Sequence, residues 1–151
     1  MSPEIPLRVL VVDDHAGIRL GIESLIEAEA PRMRSVGAVG TPVEALAHTQ
    51  RHQPHVVVLD VNLDGEDGLA LIPLLHRAAP CGVVVLTSLQ DPHIAERAHR
   101  LGAFGCLHKT APADELLAFI VSAQHTRDSE PGALPLIAGG AVSYVAGSKH
   151  P

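Results

Sequence analysis

The stretch from Val56 to Gly68, Val-Val-Val-Leu-Asp-Val-Asn-Leu-Asp-Gly-Glu-Asp-Gly, joins an uninterrupted apolar run to a polar, glycine-containing loop. Residues 56–59 are β-branched or aliphatic, which is typical of a strand covered on both faces in a parallel sheet. The run stops at Asp60, which is therefore predicted at the carboxyl end of a buried strand. Open α/β sheets bind their ligands at that edge, although Asp is also common where a chain simply turns.

Four further segments have the pattern of buried strands, and helical patterns separate them. Apolar runs predict these strands at residues 7–12, 33–39, 82–86 and 104–108. Helices are predicted from His15 to before Pro31, from Thr41 to about His52, from Asp67 to before Pro80, from Asp91 to Gly102 and from Thr110 to about His125. This alternation predicts an α/β fold: a doubly wound, five-stranded parallel sheet with the flavodoxin-like order 2-1-3-4-5 and helices on both faces.

The composition is that of one globular domain, and it limits the classes of function. Of 151 residues, 46% are hydrophobic and 19% are charged, which suits a single aliphatic core. The formal net charge of -6 gives no electrostatic footprint for nucleic acid. There is no apolar run of transmembrane length and no signal-peptide pattern, and two cysteines are too few for a disulfide framework. We therefore expect a cytoplasmic protein without a membrane partner.

The character of the sequence changes after about His125. We predict a domain at residues 1–125, followed by a linker or partly disordered tail at residues 126–151. Residues 126–135 are rich in Ser, Asp, Glu, Pro and Gly, which is typical of a linker, and residues 136–145 are weakly apolar. The residues from 126 to 151 leave no room for a helix-turn-helix domain.

Polar side chains stand where four of the predicted strands end. Asp13 and Asp14 follow the first strand, Asp60 ends the third, Thr87 follows the fourth and Lys109 follows the fifth. Carboxylates that meet at one edge repel each other unless a cation or a proton offsets their charge. Mg²⁺ binds carboxylates together with carbonyls, waters and phosphate oxygens. A carboxylate nucleophile, a metal, a lysine and a hydroxyl are together the parts of a phosphoryl-transfer site.

Four motifs resemble the receiver domain of the response regulators of two-component signalling. They occur in the family's order and spacing, and the resemblance covers roughly residues 8–123. His15 after the acidic pair, and a non-proline residue after Lys109, are most similar to the NarL/LuxR-like branch. The motifs are Val-Val-Asp-Asp-His (11–15), Val-Leu-Asp-Val-Asn-Leu-Asp-Gly-Glu-Asp-Gly (58–68), Val-Leu-Thr-Ser (85–88) and Gly-Ala-Phe-Gly-Cys-Leu-His-Lys-Thr (102–110).

The resemblance implies a magnesium-dependent phosphoacceptor site. Asp60 would take a phosphoryl group from a phosphohistidine on a sensor histidine kinase. Asp14 would bind Mg²⁺ directly, Asp13 would hold it through water, and the Asp60 carboxylate and the backbone carbonyl of Asn62 would be further ligands. Only self-phosphotransfer and slow autodephosphorylation are expected, with no separate turnover. A homodimer is possible, and nothing in the sequence selects its interface.

The resemblance also implies a switch. Thr87 and Lys109 would contact the phosphoryl oxygens, and movement of Thr87 would let the next loop rearrange. Cys106 stands three residues before Lys109, where the family usually has a Tyr or Phe that changes rotamer; a cysteine sweeps less volume. Phe104, two residues earlier, should share its strand face. Asp64 replaces the usual proline and should add loop freedom.

Simpler readings stand beside these. His15 could join the site or lie at the surface in the first helical turn. Cys81 and Cys106 favour small buried hydrophobes, with a redox role as the alternative. Asp67 should cap the third helix, and Gly68 should allow close approach or a positive φ.

The leading function is a phosphorylation-dependent signalling switch. The chain could be a stand-alone receiver, or the receiver part of a longer LuxR-type transcription regulator, in which case only a missing carboxyl-terminal domain would bind DNA. Residues 137–145 resemble the stretch before that domain. A phosphorylation-independent pseudo-receiver scaffold is a further alternative, suggested by the departures from the family pattern at Cys106 and Asp64. An Asp-nucleophile phosphohydrolase would need a carboxylate two residues after Asp60, where Asn62 stands.

Overall fold

A computed structural model describes residues 5–127, with side chains described to residue 124. Its strands are β1 (Leu7–Val12), β2 (Met33–Val39), β3 (Val56–Asp60), β4 (Asn62–Leu63), β5 (Glu66–Asp67), β6 (Gly82–Thr87) and β7 (Gly105–His108). Five of them form one parallel sheet in the order β2-β1-β3-β6-β7. Since β4 and β5 pair only with each other, the order of the long strands is the predicted flavodoxin-like one. The predicted fold class is confirmed.

The first, second and fourth helices begin within one residue of their predicted starts. Thr41 accepts a hydrogen bond from the Glu44 N–H at 3.2 Å, and Asp91 accepts one from the His93 N–H at 2.9 Å, so each side chain satisfies a free N–H at a helix start. A 3-10 helix, Gly68–Leu71, leads into the third helix. The helices are α1 (Ala16–Glu27), α2 (Pro42–His52), α3 (Ile72–Ala78), α4 (Pro92–Arg100) and α5 (Ala113–Arg127).

The predicted tail begins within α5, because this helix continues through Arg127. Residues 128–151, which are most of the predicted tail, lie outside the described residues, and the predicted domain boundary remains a prediction. Among the helices described between residues 5 and 127, none has both the length and the apolarity needed to cross a bilayer.

Two aliphatic layers sandwich the sheet, and β3 belongs to both. Every residue of β3 is buried, as the continuous apolar run predicts. Val57 and Leu59 belong to the core on the side of α2, α3 and α4, whereas Val56 and Val58 belong to the core on the side of α1 and α5. The side-chain alternation along a strand therefore serves both layers, and the polar residues are left to the ends of the strands.

The loop after β3 contains a hairpin that the sequence analysis does not predict. Asn62–Leu63 and Glu66–Asp67 pair in antiparallel fashion. The two residues between them, Asp64 and Gly65, both have positive φ, 53° and 84°, as a type I′ hairpin turn requires. Asp64 therefore occupies a defined turn instead of adding freedom to the loop as predicted.

Phe104 and Cys106 lie on different sides of the sheet, so the prediction that they share a face is wrong. The Phe104 ring meets the Phe119 ring of α5 edge-on, with centroids 5.6 Å apart. Cys106 belongs to the opposite core, together with Ala95 and Ala98 of α4. The reason is that β7 begins at Gly105, so Phe104 lies outside the regular alternation of the strand.

The contact between β6 and α5 gives a test of this packing. Gly82→Ala should lower the free energy of unfolding by about 1–3 kcal/mol, because a Cβ there would lie 2.5 Å from the Ala123 carbonyl oxygen. Gly21→Ala is the control, since a Cβ at that position of α1 meets nothing within 4 Å; it should raise the same free energy by about 0.5–1 kcal/mol. Chemical denaturation measures both, and equal effects would contradict the packing.

Candidate functional site

The ends of β1 and β3 bring two acidic side chains together at the carboxyl edge of the sheet. Asp13 directly follows β1, and its N–H donates to the Val39 carbonyl at 2.9 Å, which continues the pairing with β2. Asp60 is the last residue of β3, next to β1. Both side chains are deeply buried, with Asp13 1% and Asp60 3% exposed. Water therefore screens their charges only weakly.

Lys109 connects these two carboxylates. Its backbone N–H donates to the Thr87 carbonyl at 2.8 Å, which extends the pairing of β6 and β7 by one residue. From there its Nζ reaches Asp60 Oδ2 at 3.1 Å and Asp13 Oδ2 at 3.3 Å. Three of the five side chains that the sequence analysis places at this edge are thus in direct contact.

Burial and neighbouring charges shift the pKa values of Asp60 and Lys109. Burial raises the pKa of Asp60 above its ordinary value, and the nearby Asp13 charge adds to the rise, while the hydrogen bond from Lys109 opposes it. Burial alone would lower the pKa of Lys109, but its contacts with Asp60 and Asp13 outweigh burial and raise that pKa. Lys109 is therefore a fixed cation, and Asp60 lies where a further cation would favour its charged form.

His15 fits both readings of this residue, because it is exposed at the start of α1 and also approaches the acidic cluster. Its side chain is 60% exposed, yet its Nδ1 lies 3.0 Å from Asp13 Oδ1 and 3.1 Å from Asp14 Oδ1. Arg19 follows one helical turn later, and its Nη1 donates to the Asp13 carbonyl at 2.6 Å. Arg19 was missed in the sequence analysis; its i,i+4 spacing from His15 is the one signal that could have drawn attention to it.

Gly68 shapes the loop behind Asp60. A Cβ at this position would lie 2.0 Å from the Asp60 carbonyl oxygen and 2.8 Å from that of Val61. Its N–H donates to the Val61 carbonyl at 2.6 Å. Of the two reasons predicted for this glycine, the structure supports close approach. Asp67 accepts a hydrogen bond from the Leu69 N–H at 3.0 Å, which confirms that it caps the following helix.

The hydrogen bonds of Thr87 are made to Leu89, and Cys106 lies in the core on the α4 side of the sheet. The Thr87 hydroxyl accepts a hydrogen bond from the Leu89 N–H at 3.0 Å and donates to the Leu89 carbonyl at 3.4 Å. Burial raises the pKa of the Cys106 thiol to about 11. The thiol is therefore protonated at neutral pH, as for the small buried hydrophobe that the sequence favours, and nothing here supports a redox role.

The donor set suits a divalent cation. Asp13 Oδ2 and Asp14 Oδ1 are buried and accept no hydrogen bond from the described residues. One potential ligand atom from each of Asp13, Asp14, His15 and Asp60 lies within 4.8 Å of the others. Carboxylate oxygens in such a group are the ligands that Mg²⁺ prefers, so the residues fit the predicted metal.

Asn62 has its side chain engaged elsewhere. Its amide oxygen accepts a hydrogen bond from the Gly65 N–H at 2.9 Å, within the hairpin. Its own N–H lies 3.3 Å from Asp60 Oδ1, which accepts it. The hairpin thereby fixes the Asn62 side chain. The backbone carbonyl of Asn62 is then the group of this residue that could bind a metal.

Known proteins share this fold and these sequence features. A profile of the response regulator receiver domain matches residues 9–121. Protein-glutamate methylesterase/protein-glutamine glutaminase 1 of Rhodospirillum rubrum is 35% identical over 114 residues, covering 74% of this chain and 29% of that protein. The transcriptional regulatory protein PdtaR of Mycobacterium tuberculosis is 29% identical over 116 residues, covering 77% of this chain and 56% of that protein. The chain thus spans less than two thirds of either relative.

Solved structures show the same architecture. The response regulator domain of Thermotoga maritima CheB has a TM-score of 0.73 and 28% identity, covering 83% of this chain and 99% of that one. A LuxR-family response regulator from Aurantimonas sp. SI85-9A1 has a TM-score of 0.71 and 25% identity, covering 82% and 86%. The signal receiver domain of NarL from Mycobacterium tuberculosis, at 24% identity and a TM-score of 0.72, shares the fold, covering 84% and 100%.

The cation fit can be tested through stability. At a free Mg²⁺ concentration ten times the dissociation constant, binding to the folded state alone should raise the free energy of unfolding by about 1.4 kcal/mol. Asp14→Asn should remove most of this gain. Glu96→Gln, which changes an acid on α4 that is 52% exposed, should keep it. Denaturation with Mg²⁺ or with a chelator measures the gain, and equal gains in all three proteins would contradict the site.

Proposed function

The chain belongs to the response regulator receiver domain family, as its four motifs predict, and from this membership we propose how it works. We propose that it is a phosphorylation-dependent signalling switch. Asp60 accepts a phosphoryl group from a phosphohistidine of a sensor histidine kinase in a reaction that requires Mg²⁺. The observation that carries the proposal is the bridge from Lys109 Nζ to Asp60 Oδ2 and Asp13 Oδ2, at 3.1 and 3.3 Å.

The transfer step follows from the chemistry of Asp60. A carboxylate oxygen attacks phosphorus, and an O–P bond replaces the P–N bond, whose electron pair stays on the kinase imidazole. The product is an acyl phosphate on Asp60. Lys109 offsets negative charge on the transferring phosphoryl oxygens, which is the main catalytic task in phosphoryl transfer. Water can later attack the same phosphorus, so slow autodephosphorylation is expected without any separate turnover.

The acidic residues would hold the metal. We assign Asp13, Asp14, Asp60 and the backbone carbonyl of Asn62 to Mg²⁺, in line with the family, whose receivers generally bind Mg²⁺ in this acidic pocket. When bound, Mg²⁺ supplies positive charge that offsets both the carboxylates and the phosphoryl oxygens. Asp14 Oδ1, which is buried and accepts no hydrogen bond from residues 5–127, supports this assignment, as does the ligand spacing of the cluster.

The switch acts through Thr87. Its hydroxyl forms a local turn with Leu89, so drawing it toward a phosphoryl group on Asp60 must break both hydrogen bonds. The loop between β6 and α4 then has to take another conformation. Cys106, buried in the core on the α4 side, cannot supply an aromatic ring that changes position, so the loop carries the signal without one.

The partners follow from the family. Receiver domains interact with sensor histidine kinases and often dimerise, so we propose a cytoplasmic histidine kinase domain as the phosphoryl donor and a homodimer as a possible output state. Because the chain spans only part of the length of its relatives, we also consider it as the receiver part of a longer regulator. DNA would then be bound only by a domain beyond this chain, and the full reading frame decides the matter.

Phosphorylation can be tested with a small donor. Incubation with acetyl phosphate and Mg²⁺ should add one phosphoryl group per chain, measured by intact mass. Asp60→Asn should abolish the adduct, because it removes the nucleophile at nearly constant size. Asp64→Asn is the matched control: the same change four residues later, in the hairpin turn and at a left-handed position that Asn tolerates, should leave the adduct unchanged.

Two outcomes would contradict the proposal. An adduct of normal yield in Asp60→Asn would place the phosphoryl group elsewhere. Absence of any adduct in the unaltered chain, together with no Mg²⁺-dependent binding of beryllofluoride, would favour a phosphorylation-independent scaffold.

A further inference from the structure

His15 occupies the position before α1, but its side chain does not cap that helix. Instead its ring turns back toward the acidic pair, with Nδ1 3.0 Å from Asp13 Oδ1 and 3.1 Å from Asp14 Oδ1. The backbone N–H of His15 already donates to Asp13 Oδ1 at 2.9 Å. Nδ1 is also within hydrogen-bonding distance of this oxygen, so two nitrogen atoms of His15 meet Asp13 Oδ1.

The approach to Asp14 is not explained by hydrogen bonding. Asp14 Oδ1 is buried and accepts no hydrogen bond from the described residues, although His15 Nδ1 is only 3.1 Å away. Asp13 Oδ2 faces the Lys109 ammonium at 3.3 Å, and the Asp13 side chain is 2% exposed. A buried carboxylate oxygen without a hydrogen bond, next to a second carboxylate and an imidazole nitrogen, is an arrangement that suits a shared cation.

We propose that His15 Nδ1 is a ligand of the ion held by Asp13 and Asp14, and that it makes the site favour divalent ions that accept nitrogen, such as Co²⁺, over Mg²⁺. This inference rests on the proposed function, whose metal site it extends. Donor atoms at neighbouring corners of an octahedron with bonds of about 2.1 Å lie about 3.0 Å apart, and both measured separations match that spacing.

The preference follows from ligand chemistry. Mg²⁺ is a hard ion that binds oxygen donors and keeps much of its water, whereas imidazole suits first-row transition metals. In a cluster of carboxylates alone, oxygen donors would determine the ratio of the affinities for Mg²⁺ and for a transition metal. An imidazole in the same cluster raises affinity only for ions that accept nitrogen. The exposed face of His15, which is 60% of its side chain, leaves the site open to exchange of the ion.

The experiment compares Mg²⁺ and Co²⁺ affinities of tag-free protein by titration calorimetry. All the proteins compared carry His52→Asn. This substitution removes a second place where a transition metal could bind, since the His48 and His52 rings on α2 have centroids 5.5 Å apart. His15→Asn is the test variant, since Asn is a good residue for a helix start and offers an amide oxygen in place of nitrogen. His93→Asn, at an α4 side chain that is 89% exposed, is the matched control.

We expect His15→Asn to weaken Co²⁺ binding by about tenfold and to change Mg²⁺ binding by less than about twofold, while His93→Asn changes neither. A second readout is the proton spectrum of the Co²⁺-loaded protein, where the hyperfine-shifted ring N–H of a coordinated imidazole should be present and should vanish in His15→Asn.

The outcomes separate this inference from the function on which it rests. A chain that binds Mg²⁺ and is phosphorylated, but whose ratio of Co²⁺ to Mg²⁺ affinity is the same in His15→Asn, would overturn the role of His15 and leave the function standing. A chain that binds Co²⁺ through His15, but neither binds Mg²⁺ nor becomes phosphorylated, would support the ligand and overturn the function.

Discussion

The crowding of carboxylates at one buried edge is the constraint on which the rest of the structure depends. Parallel pairing of β1 with β3 sets Asp13 beside Asp60, and burial removes the water that would screen them. Lys109 reaches both carboxylates and keeps its charge, because their contacts raise its pKa. One lysine cannot balance three acids, so the folded chain favours a second cation at the place where a phosphoryl group would bring still more negative charge.

Contacts around this edge link the charge at Asp60 to the conformation of the neighbouring loops. Thr87 is held by Leu89 in the loop that leads to α4. Asp67, in the hairpin after Asp60, forms an ion pair with Arg97 of α4 at 2.5 Å, and this contact lowers the pKa of Asp67. The hairpin after Asp60 is therefore tied to α4 through Arg97, and the loop between β6 and α4 is held by the hydrogen bonds between Thr87 and Leu89. We therefore expect a change of charge at Asp60 to act first on these contacts, which lie outside the aliphatic cores.

Residues 56–60 show why so much could be predicted from sequence. A strand buried on both faces needs an unbroken apolar run, and the point where the run ends then identifies the edge of the sheet. The same reasoning located Asp13, Thr87 and Lys109. The type I′ hairpin was missed although Asp64-Gly65 is its usual signal, because the loop was interpreted only through the acids it carries.

Other features depend on tertiary contacts that no local pattern contains. Phe104 faces α5 because strand pairing starts one residue later than predicted. Arg19 approaches the Asp13 carbonyl at the place where Gly40 lacks a side chain: a Cβ there would lie 2.8 Å from Arg19 Nη1. The position of the His15 ring was left open, since exposure and participation in the site are compatible.

A crystal structure with Mg²⁺ and beryllofluoride tests the central claim most directly, because this anion mimics a phosphoryl group on an aspartate. We expect fluoroberyllate on Asp60, contacts from Lys109 Nζ and the Thr87 hydroxyl to its fluorine atoms, and loss of both hydrogen bonds between Thr87 and Leu89. Fluoroberyllate bound elsewhere, or bound on Asp60 with Lys109 turned away and the Thr87–Leu89 turn intact, would contradict the claim.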